Sequence, residues 1–485
     1  MRLSKILTSV PVNNMGDIDI TRFKLSTKNI KRGDVYLNLE EKDETLIHNN
    51  FLEAIKRGAS CIITSFPSIG INSFDTPIIL VDNVRKILSE VASNFYPQAI
   101  KNIVGVTGTC GKTSTVSFIR QLLNFANHKS ASLGTEGIWI GNQLVSCIPQ
   151  IITTPPVLHL HYILNYLSSK SVTDLAMEVT SHGLDRNRVD NIPFNVGLFT
   201  NLIPTHLDYH LTMEHYYSSK RRFFSEVLSN KSTAVINSEE GWSSDISSIC
   251  AKRKIQTILV GKDIRLINVN FLDNQTEIDV NYFGNKIKIF LPSLATYQIE
   301  NFLFSIGALT ALGIDINIVQ KFSESLQSPP GRMELIHKMP NGALIFIDYA
   351  HRPETFEKIL KPLYLSGRDI VLVFGCGGGI YKDRRRKMGV LADKYAKKVI
   401  ITDDNARDED PAGIRKMILE GCQKGLEISN RREAIYNAIK FLEPNNVCLI
   451  LGKGTEDFQI IGNKKIKFND KTEALNIVKT IVNQV

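Results

Sequence analysis

Gly108, Thr109, Cys110, Gly111, Lys112 and Thr113 carry the sharpest chemistry in the chain. A glycine loop between a strand and a helix lets backbone N–H groups approach phosphate oxygens. A lysine there places a point charge on the outer phosphates, and a threonine hydroxyl can ligate Mg2+. The spacing departs from the general phosphate loop, because Val106 stands five residues before Gly111 where glycine is usual. A plain strand-to-helix turn is the structural alternative. Downstream, Glu178 lies inside an apolar run, where a charge is costly unless it meets a metal or a cation. His206 and Asp208 follow another apolar run. Each alone reads as a hydrogen-bonded structural residue, and beside a nucleotide loop each becomes a candidate Mg2+ ligand.

These residues need strands and helices to aim them. Apolar, β-branched runs at 103–107, 175–179, 196–200 and 233–237 read as strands, with an amphipathic helix after the 108–113 loop that carries Val116, Ile119, Leu122 and Leu123 on one face. Before residue 100, short strands at 35–39, 61–64 and 78–81 enclose helical stretches. After Pro330 and Gly331, strands at 343–348, 370–374, 398–402 and 447–451 alternate with helices. Near-continuous β-branched strands joined by helical crossovers predict parallel sheets covered on both faces, with function at the strands' carboxyl ends. The expected architecture is α/β in three domains: residues 1–99, 100–332 and 333–485.

Composition narrows the class. A chain of 485 residues exceeds a single core, and 43% hydrophobic with 22% charged residues describes a globular enzyme. No run reaches the ~18 consecutive apolar residues of a membrane span, and the opening residues to Pro11 lack a secretory apolar region, so a cytoplasmic location is expected. The seven cysteines are scattered and never form a CxxC pair, which argues against a disulfide framework and a zinc site. The net charge of +9 is spread along the chain without aromatic-interleaved basic stretches, which argues against nucleic acid. An anionic small substrate or a surface rich in solvated lysines accounts for the sign.

The combination resembles the Mur ligase family over almost the whole chain. The resemblance rests on the 108–113 loop, with Cys110 where the family usually has Asn. It rests also on residues 177–182 (Met-Glu-Val-Thr-Ser-His), 199–210, 294–301, 330–334 (Pro-Gly-Arg-Met-Glu) and 348–351 (Asp-Tyr-Ala-His). It implies that ATP is bound by Gly108, Thr109, Cys110, Gly111, Lys112, Thr113 and Ser114 together with Asn301, Arg332 and Asp348. By the same resemblance Thr113 and Glu178 would hold one Mg2+, and Glu178 with His206 a second. Lys220 matches the lysine that the family carbamylates, whereas by itself it reads as a solvated helix lysine. Thr27, Thr153, Thr154, Thr180, Arg186 and Arg188 match positions that bind the UDP-muramoyl-dipeptide.

The incoming amino acid is implied by Asp404, Asn405 and Arg407, which resemble the segment of family members that take meso-diaminopimelate. A guanidinium can grip that substrate's distal carboxylate through two hydrogen bonds, whereas lysine would offer only an ammonium. Gly452 and Glu456 match positions at the distal amino-acid group. Ile380 stands where the family carries an arginine, and Arg384 or Arg385 are candidate replacements. The glycines between 375 and 379 superficially suggest a dinucleotide fingerprint but lack its final spacing. The expected activity is ATP-dependent amide formation through an acyl phosphate by a monomer. L-lysine as substrate, a folylpolyglutamate synthetase-type ligase, and a nucleotide-binding module without turnover remain as alternatives.

Overall fold

A computed structural model of the chain describes all residues except 1, 10–17, 40–42, 67–74, 150–151, 273–274, 293–295, 380–381 and 483–485. Ile380 and Leu294 therefore lie outside the described residues. The chain divides into two units: Met1–Lys112, Leu123–Leu259 and Ala308–Gly313 form one, and Thr113–Leu122, Val260–Gly307 and Ile314–Val485 form the other.

In the first unit, β1 (Arg22–Lys24), β2 (Asp34–Leu37), β3 (Cys61–Thr64) and β4 (Ile78–Leu80) make an all-parallel sheet in that order. Successive side chains alternate between two cores. Val35, Leu37 and Ile63 pack with Val84, Leu88 and Val91 of the helix Val84–Phe95, while Tyr36 and Ile62 pack with Ile47 and Phe51 of the helix Glu44–Lys56. Burial on both faces is why β2 and β3 read as apolar runs, whereas the edge strand β1, Arg-Phe-Lys, carries no such signal. Asp43 and Asn83 start the two helices by accepting N–H groups of the first turn.

The same unit holds β5 (Asn102–Thr107), β6 (Ser130–Gly134), β7 (Gly137–Ile140), β8 (Gln143–Leu144), β9 (Asp174–Glu178), β10 (Val196–Phe199), β11 (Thr233–Asn237) and β12 (Gln256–Val260). They lie in the order β12-β11-β10-β5-β9-β6-β7-β8. β6, β9, β5, β10 and β11 run parallel, and β7 and β8 fold back antiparallel as a hairpin extension, which differs from the purely parallel expectation. Strand β5 lies between β9 and β10, with Val106 opposite Glu178 and Thr107 opposite Phe199. Three carboxyl ends are thereby brought side by side.

The second unit contains β13 (Ile264–Phe271), β14 (Gln275–Tyr282) and β15 (Asn285–Pro292), an antiparallel meander that the helix-alternating pattern did not predict. Its larger sheet has the order β16-β17-β21-β18-β19-β20, from β16 (Glu334–Lys338), β17 (Leu344–Asp348), β18 (Asp369–Phe374), β19 (Lys398–Ile401), β20 (Gly425–Glu427) and β21 (Asn446–Leu451). All pair in parallel except the edge strand β16. Phe346, Leu372 and Leu449 face Phe356, Ile359 and Met388, and Ile347, Val373 and Ile450 face Ile435, Ile439 and Ile477. Arg431 and Asp470, both fully buried, pair through two 2.7 Å bonds, and Arg431 also donates to Leu451 O at 3.0 Å. That pair fastens the helices Arg431–Lys440 and Asp470–Val482 to the end of β21.

Candidate functional site

The phosphate loop leaves β5 at Gly108, whose φ of +149° and neighbours suit glycine: a Cβ there would lie 2.0 Å from Thr200 Oγ1. The loop is braced by the end of β10. Thr109 N–H donates to Asn201 O (3.0 Å), Cys110 N–H donates to Asn201 Oδ1 (2.8 Å), and Asn201 Nδ2 and Thr200 Oγ1 both donate to Cys110 O (3.2 and 2.8 Å). Thr109 Oγ1 meets Tyr216 OH at 3.0 Å and accepts from Ile203 N–H at 2.9 Å. Lys112 Nζ folds back on Gly108 O and Thr109 O at 2.8 and 2.9 Å, and the helix Lys112–Phe125 begins there.

Lys220 is 1% exposed, which excludes the solvated alternative. Its Nζ donates to Gly108 O at 2.8 Å and lies 4.8 Å from the Tyr216 ring centre. Burial, and then the charge of Lys112, hold its pKa well below the ordinary lysine value. Glu178, 2% exposed at the end of β9, accepts Thr135 N–H on Oε1 at 2.7 Å and the Thr135 hydroxyl on Oε2 at 3.3 Å. His206 caps the short helix Leu207–His210 with a left-handed φ of 56°, and its ring centre lies 5.2 Å from His182 and 6.3 Å from Tyr216. Asp208 is exposed on that short helix. Gly108, Lys112, Lys220, Tyr216 and His206 thus form one neighbourhood, and Glu178 ends β9, the strand paired with β5 on the side away from β10.

A divalent ion suits this strand end. The backbone at Gly134 is shaped around a carboxylate, because a Cβ there would meet Glu178 Oε1 at 2.3 Å. A carboxylate and a hydroxyl are the hard donors Mg2+ takes. Among the described residues no group of three His, Cys, Asp or Glu forms a ready metal site, so an ion would draw also on phosphate, hydroxyl or lysine-derived oxygens.

Beside Glu178 the predicted substrate residues converge. Thr154 Oγ1 donates to Glu178 O (2.9 Å) and accepts from Thr180 N–H (3.0 Å). Arg188 donates to Thr154 O (2.7 Å), and Thr153 Oγ1 meets Thr135 Oγ1 (3.1 Å). Arg186 Nε donates to Tyr209 OH at 3.1 Å, and that hydroxyl donates to Asp185 at 2.6 Å. Burial and the nearby Arg186 and Arg188 lower the His182 pKa. Thr27 is half-buried at the start of a single 3-10 turn capped by Ser26, outside this cluster of contacts. Asn201, Thr135 and Gly134 were not singled out from the sequence. Asn201 lies inside a quoted motif, whereas nothing local marks the other two.

In the second unit, Asn301 and Ser114 are buried. Thr113 opens the stretch Thr113–Leu122, which packs on the helix Thr296–Ala311: Thr115 Oγ1 donates to Asn301 O (3.4 Å), and Phe118 meets Phe302 edge-on at 6.5 Å. Asp348 ends β17 with Oδ2 accepting from Tyr297 OH (2.6 Å) and Met333 N–H (2.7 Å), and Oδ1 from Ala350 N–H (2.6 Å). Burial raises its pKa against the opposing pull of Arg332. The Arg332 guanidinium lies over the Tyr349 ring at 4.7 Å.

Asn405 and Glu456 are joined at 2.7 Å, and the fully buried Lys453 holds both, donating to Glu456 Oε2 at 3.0 Å, to Asn405 Oδ1 at 3.4 Å and to Phe458 O at 2.6 Å. Asp404 Oδ1 accepts Asn405 N–H at 2.5 Å, and Gly452 N–H donates to Asp348 O at 3.1 Å. Asp404, Asn405, Gly452 and Glu456 therefore gather at the ends of β17, β19 and β21. Arg407, exposed with φ 53°, anchors one edge of its guanidinium on Gly378 O at 2.7 Å. Arg385 is fully buried and spent on Glu409 (two bonds of 2.9 Å) and Gly377 O, which leaves the half-buried Arg384 as the candidate replacement near position 380.

Two family models match the chain. Residues 106–309 match the Mur ligase middle domain, and residues 331–454 match the Mur ligase, glutamate ligase domain. A UDP-N-acetylmuramoyl-L-alanyl-D-glutamate--2,6-diaminopimelate ligase of Agrobacterium fabrum is 35% identical over 424 residues, 86% of this chain and 85% of that protein. The protein of the same name from Anaplasma marginale is 36% identical over 456 residues, 92% of this chain and 93% of its own. A solved structure of a ligase with that name superposes at a TM-score of 0.72, with 25% identity and 95% of both chains covered. A Mycobacterium tuberculosis folylpolyglutamate synthase shares the fold at 0.62 and 15% identity, over 76% of this chain and 92% of its own.

Proposed function

The chain belongs to the Mur ligase family, and from that premise we propose that it joins meso-2,6-diaminopimelate to UDP-N-acetylmuramoyl-L-alanyl-D-glutamate, with ATP, in peptidoglycan synthesis. The observation that supports this most is a buried lysine on the phosphate loop, Lys220 on Gly108 O at 2.8 Å, together with a carboxylate, Glu178, buried at the end of the strand paired with β5. A structural turn would not require either group to be buried there.

In the first step a D-glutamyl carboxylate oxygen attacks the γ-phosphorus of ATP and the bond to ADP breaks, leaving an acyl phosphate. In the second, the diaminopimelate amine attacks the acyl carbon, loses a proton, and phosphate departs. Lys112 leaves its carbonyl partners for the phosphate oxygens, since positioning and charge neutralisation do most of the work in phosphoryl transfer. Glu178 and His206, with Thr113, are the groups that would hold two Mg2+ ions, which when bound supply positive charge to the crowded oxygens. Carbamylation joins the neutral Lys220 amine to CO2, giving a carbamate and one proton and placing an anionic oxygen donor on the buried lysine, whose lowered pKa favours the neutral amine that reacts.

Thr153, Thr154, Thr180, Arg186 and Arg188 receive the muramoyl dipeptide, and Thr27 the uridine end. Asn301, Arg332 and Asp348 serve the nucleotide. Asp404, Asn405, Gly452 and Glu456 take the distal amino-acid group, and Arg407 its carboxylate through paired hydrogen bonds that lysine as substrate could not use. The domains assigned to these roles are residues 1–99 for the UDP-sugar, 100–332 for ATP and 333–485 for the amino acid. Among the described residues no helix is long and apolar enough to cross a membrane. The protein acts as a cytoplasmic monomer, where ATP and the nucleotide-sugar are found. ADP release with UDP-muramoyl-dipeptide against folate, each with and without diaminopimelate, tests the assignment. Release only with the first pair is expected, and release with folate would overturn it.

A further inference from the structure

We propose that Gly134 and Thr135 form a positioning clamp for the Glu178 carboxylate. Strand β6 pairs with β9 up to Leu133 opposite Met177, and then reverses through the two residues Thr135 and Glu136 into β7, with Gly134 opposite Gly137. A two-residue hairpin loop leaves its register little freedom, so the tip is a rigid element placed beside Glu178. Thr135 gives Glu178 both of its polar groups: the backbone N–H at 2.7 Å to Oε1 and the hydroxyl at 3.3 Å to Oε2. Gly134 supplies the space, because a Cβ there would lie 2.3 Å from Oε1, 2.7 Å from Cγ and 2.8 Å from Cδ of Glu178. The glycine is needed for that approach rather than for a positive φ.

The two contacts do different jobs. The short N–H bond fixes the carboxylate plane from a group no side-chain substitution removes. The hydroxyl bond steadies Oε2 through one lone pair and leaves that oxygen's other lone pair for an ion. The Thr135 hydroxyl also meets Thr153 Oγ1 at 3.1 Å, which links the orientation of Glu178 to a residue assigned to the dipeptide substrate. The clamp rests on the reading of Glu178 as a Mg2+ ligand.

The test compares Mn2+ binding, read by electron paramagnetic resonance on the full-length protein with ADP, with turnover and thermal midpoint. Gly134→Ala is expected to weaken Mn2+ binding about tenfold, as loss of a ligand-orienting contact does. Turnover should fall about 100-fold, as an ångström-scale misplacement does. Thr135→Val keeps the N–H and the branched shape but removes the hydroxyl. Mn2+ affinity should fall with an unchanged midpoint, and Thr135→Ser should restore it. Gly134→Ala with the parent's Mn2+ affinity overturns the clamp. Should Gly134→Ala fail to fold, equal affinities for Thr135→Val and Thr135→Ser overturn it instead. A parent protein that binds Mn2+ but consumes no UDP-muramoyl-dipeptide contradicts the functional reading alone, because the Mn2+ comparison still decides the clamp.

Discussion

Asn201→Ala is the sharpest test of how the phosphate loop is held open. The Asn201 side chain donates to Cys110 O and accepts from Cys110 N–H at 3.2 and 2.8 Å, while its backbone O holds Thr109 N–H and survives the substitution. Two side-chain hydrogen bonds are lost, each contributing about 1 kcal/mol net. If the loop must recover the same shape to bind nucleotide, ~2 kcal/mol is subtracted from binding, a loss of about 30-fold in affinity. Thr200 still braces Cys110 O at 2.8 Å, so the fold itself should be little affected. Isothermal calorimetry with ADP and Mg2+ on parent and variant reads the difference. A variant Kd within twofold of the parent would refute the claim that β10 preorganises the loop.

Other perturbations follow from the geometry. Asp470→Ala strands the fully buried Arg431 and should cost about 3–5 kcal/mol in urea unfolding, whereas the double change Arg431→Met with Asp470→Leu should cost clearly less. His161 is buried and its pKa is pushed down to about 4 by burial, so the unfolded chain binds the extra proton and stability falls as pH drops from ~6.5 toward 4. His161→Leu should flatten that decline by about 3 kcal/mol, read as the difference between the two proteins' unfolding curves across the window. Arg407→Lys should raise the KM for diaminopimelate about tenfold or more with a smaller change in the KM for ATP, because an ammonium cannot make the paired bonds. Native mass spectrometry of protein prepared under CO2 should show the added mass of one CO2, and Lys220→Arg should lack it.

The strands that aim the site were legible because burial on both faces makes them continuous apolar runs, as with residues 103–107 and 175–179. The meander β13 to β15 was not read, because its strands are half exposed and their polar alternation carries no link to the 108–113 loop. Lys220 illustrates a different limit. Its helix, Met213–Arg222, is rich in charged and polar residues, and only the approach of Gly108 reveals that this one lysine is buried. Asn201 and Thr135 act through tertiary proximity to Cys110 and Glu178, which no spacing in the chain encodes. Arg385 was a candidate for the amino-acid site by its position near residue 380, and its pairing with Glu409 commits it to the protein instead.

The acyl phosphate is the claim on which the rest depends, and isotope transfer tests it most directly. With the D-glutamyl carboxylate of the muramoyl dipeptide labelled with heavy oxygen, one labelled oxygen should appear in the inorganic phosphate released during a turnover with diaminopimelate. Phosphate free of label alongside normal tripeptide formation would contradict the account.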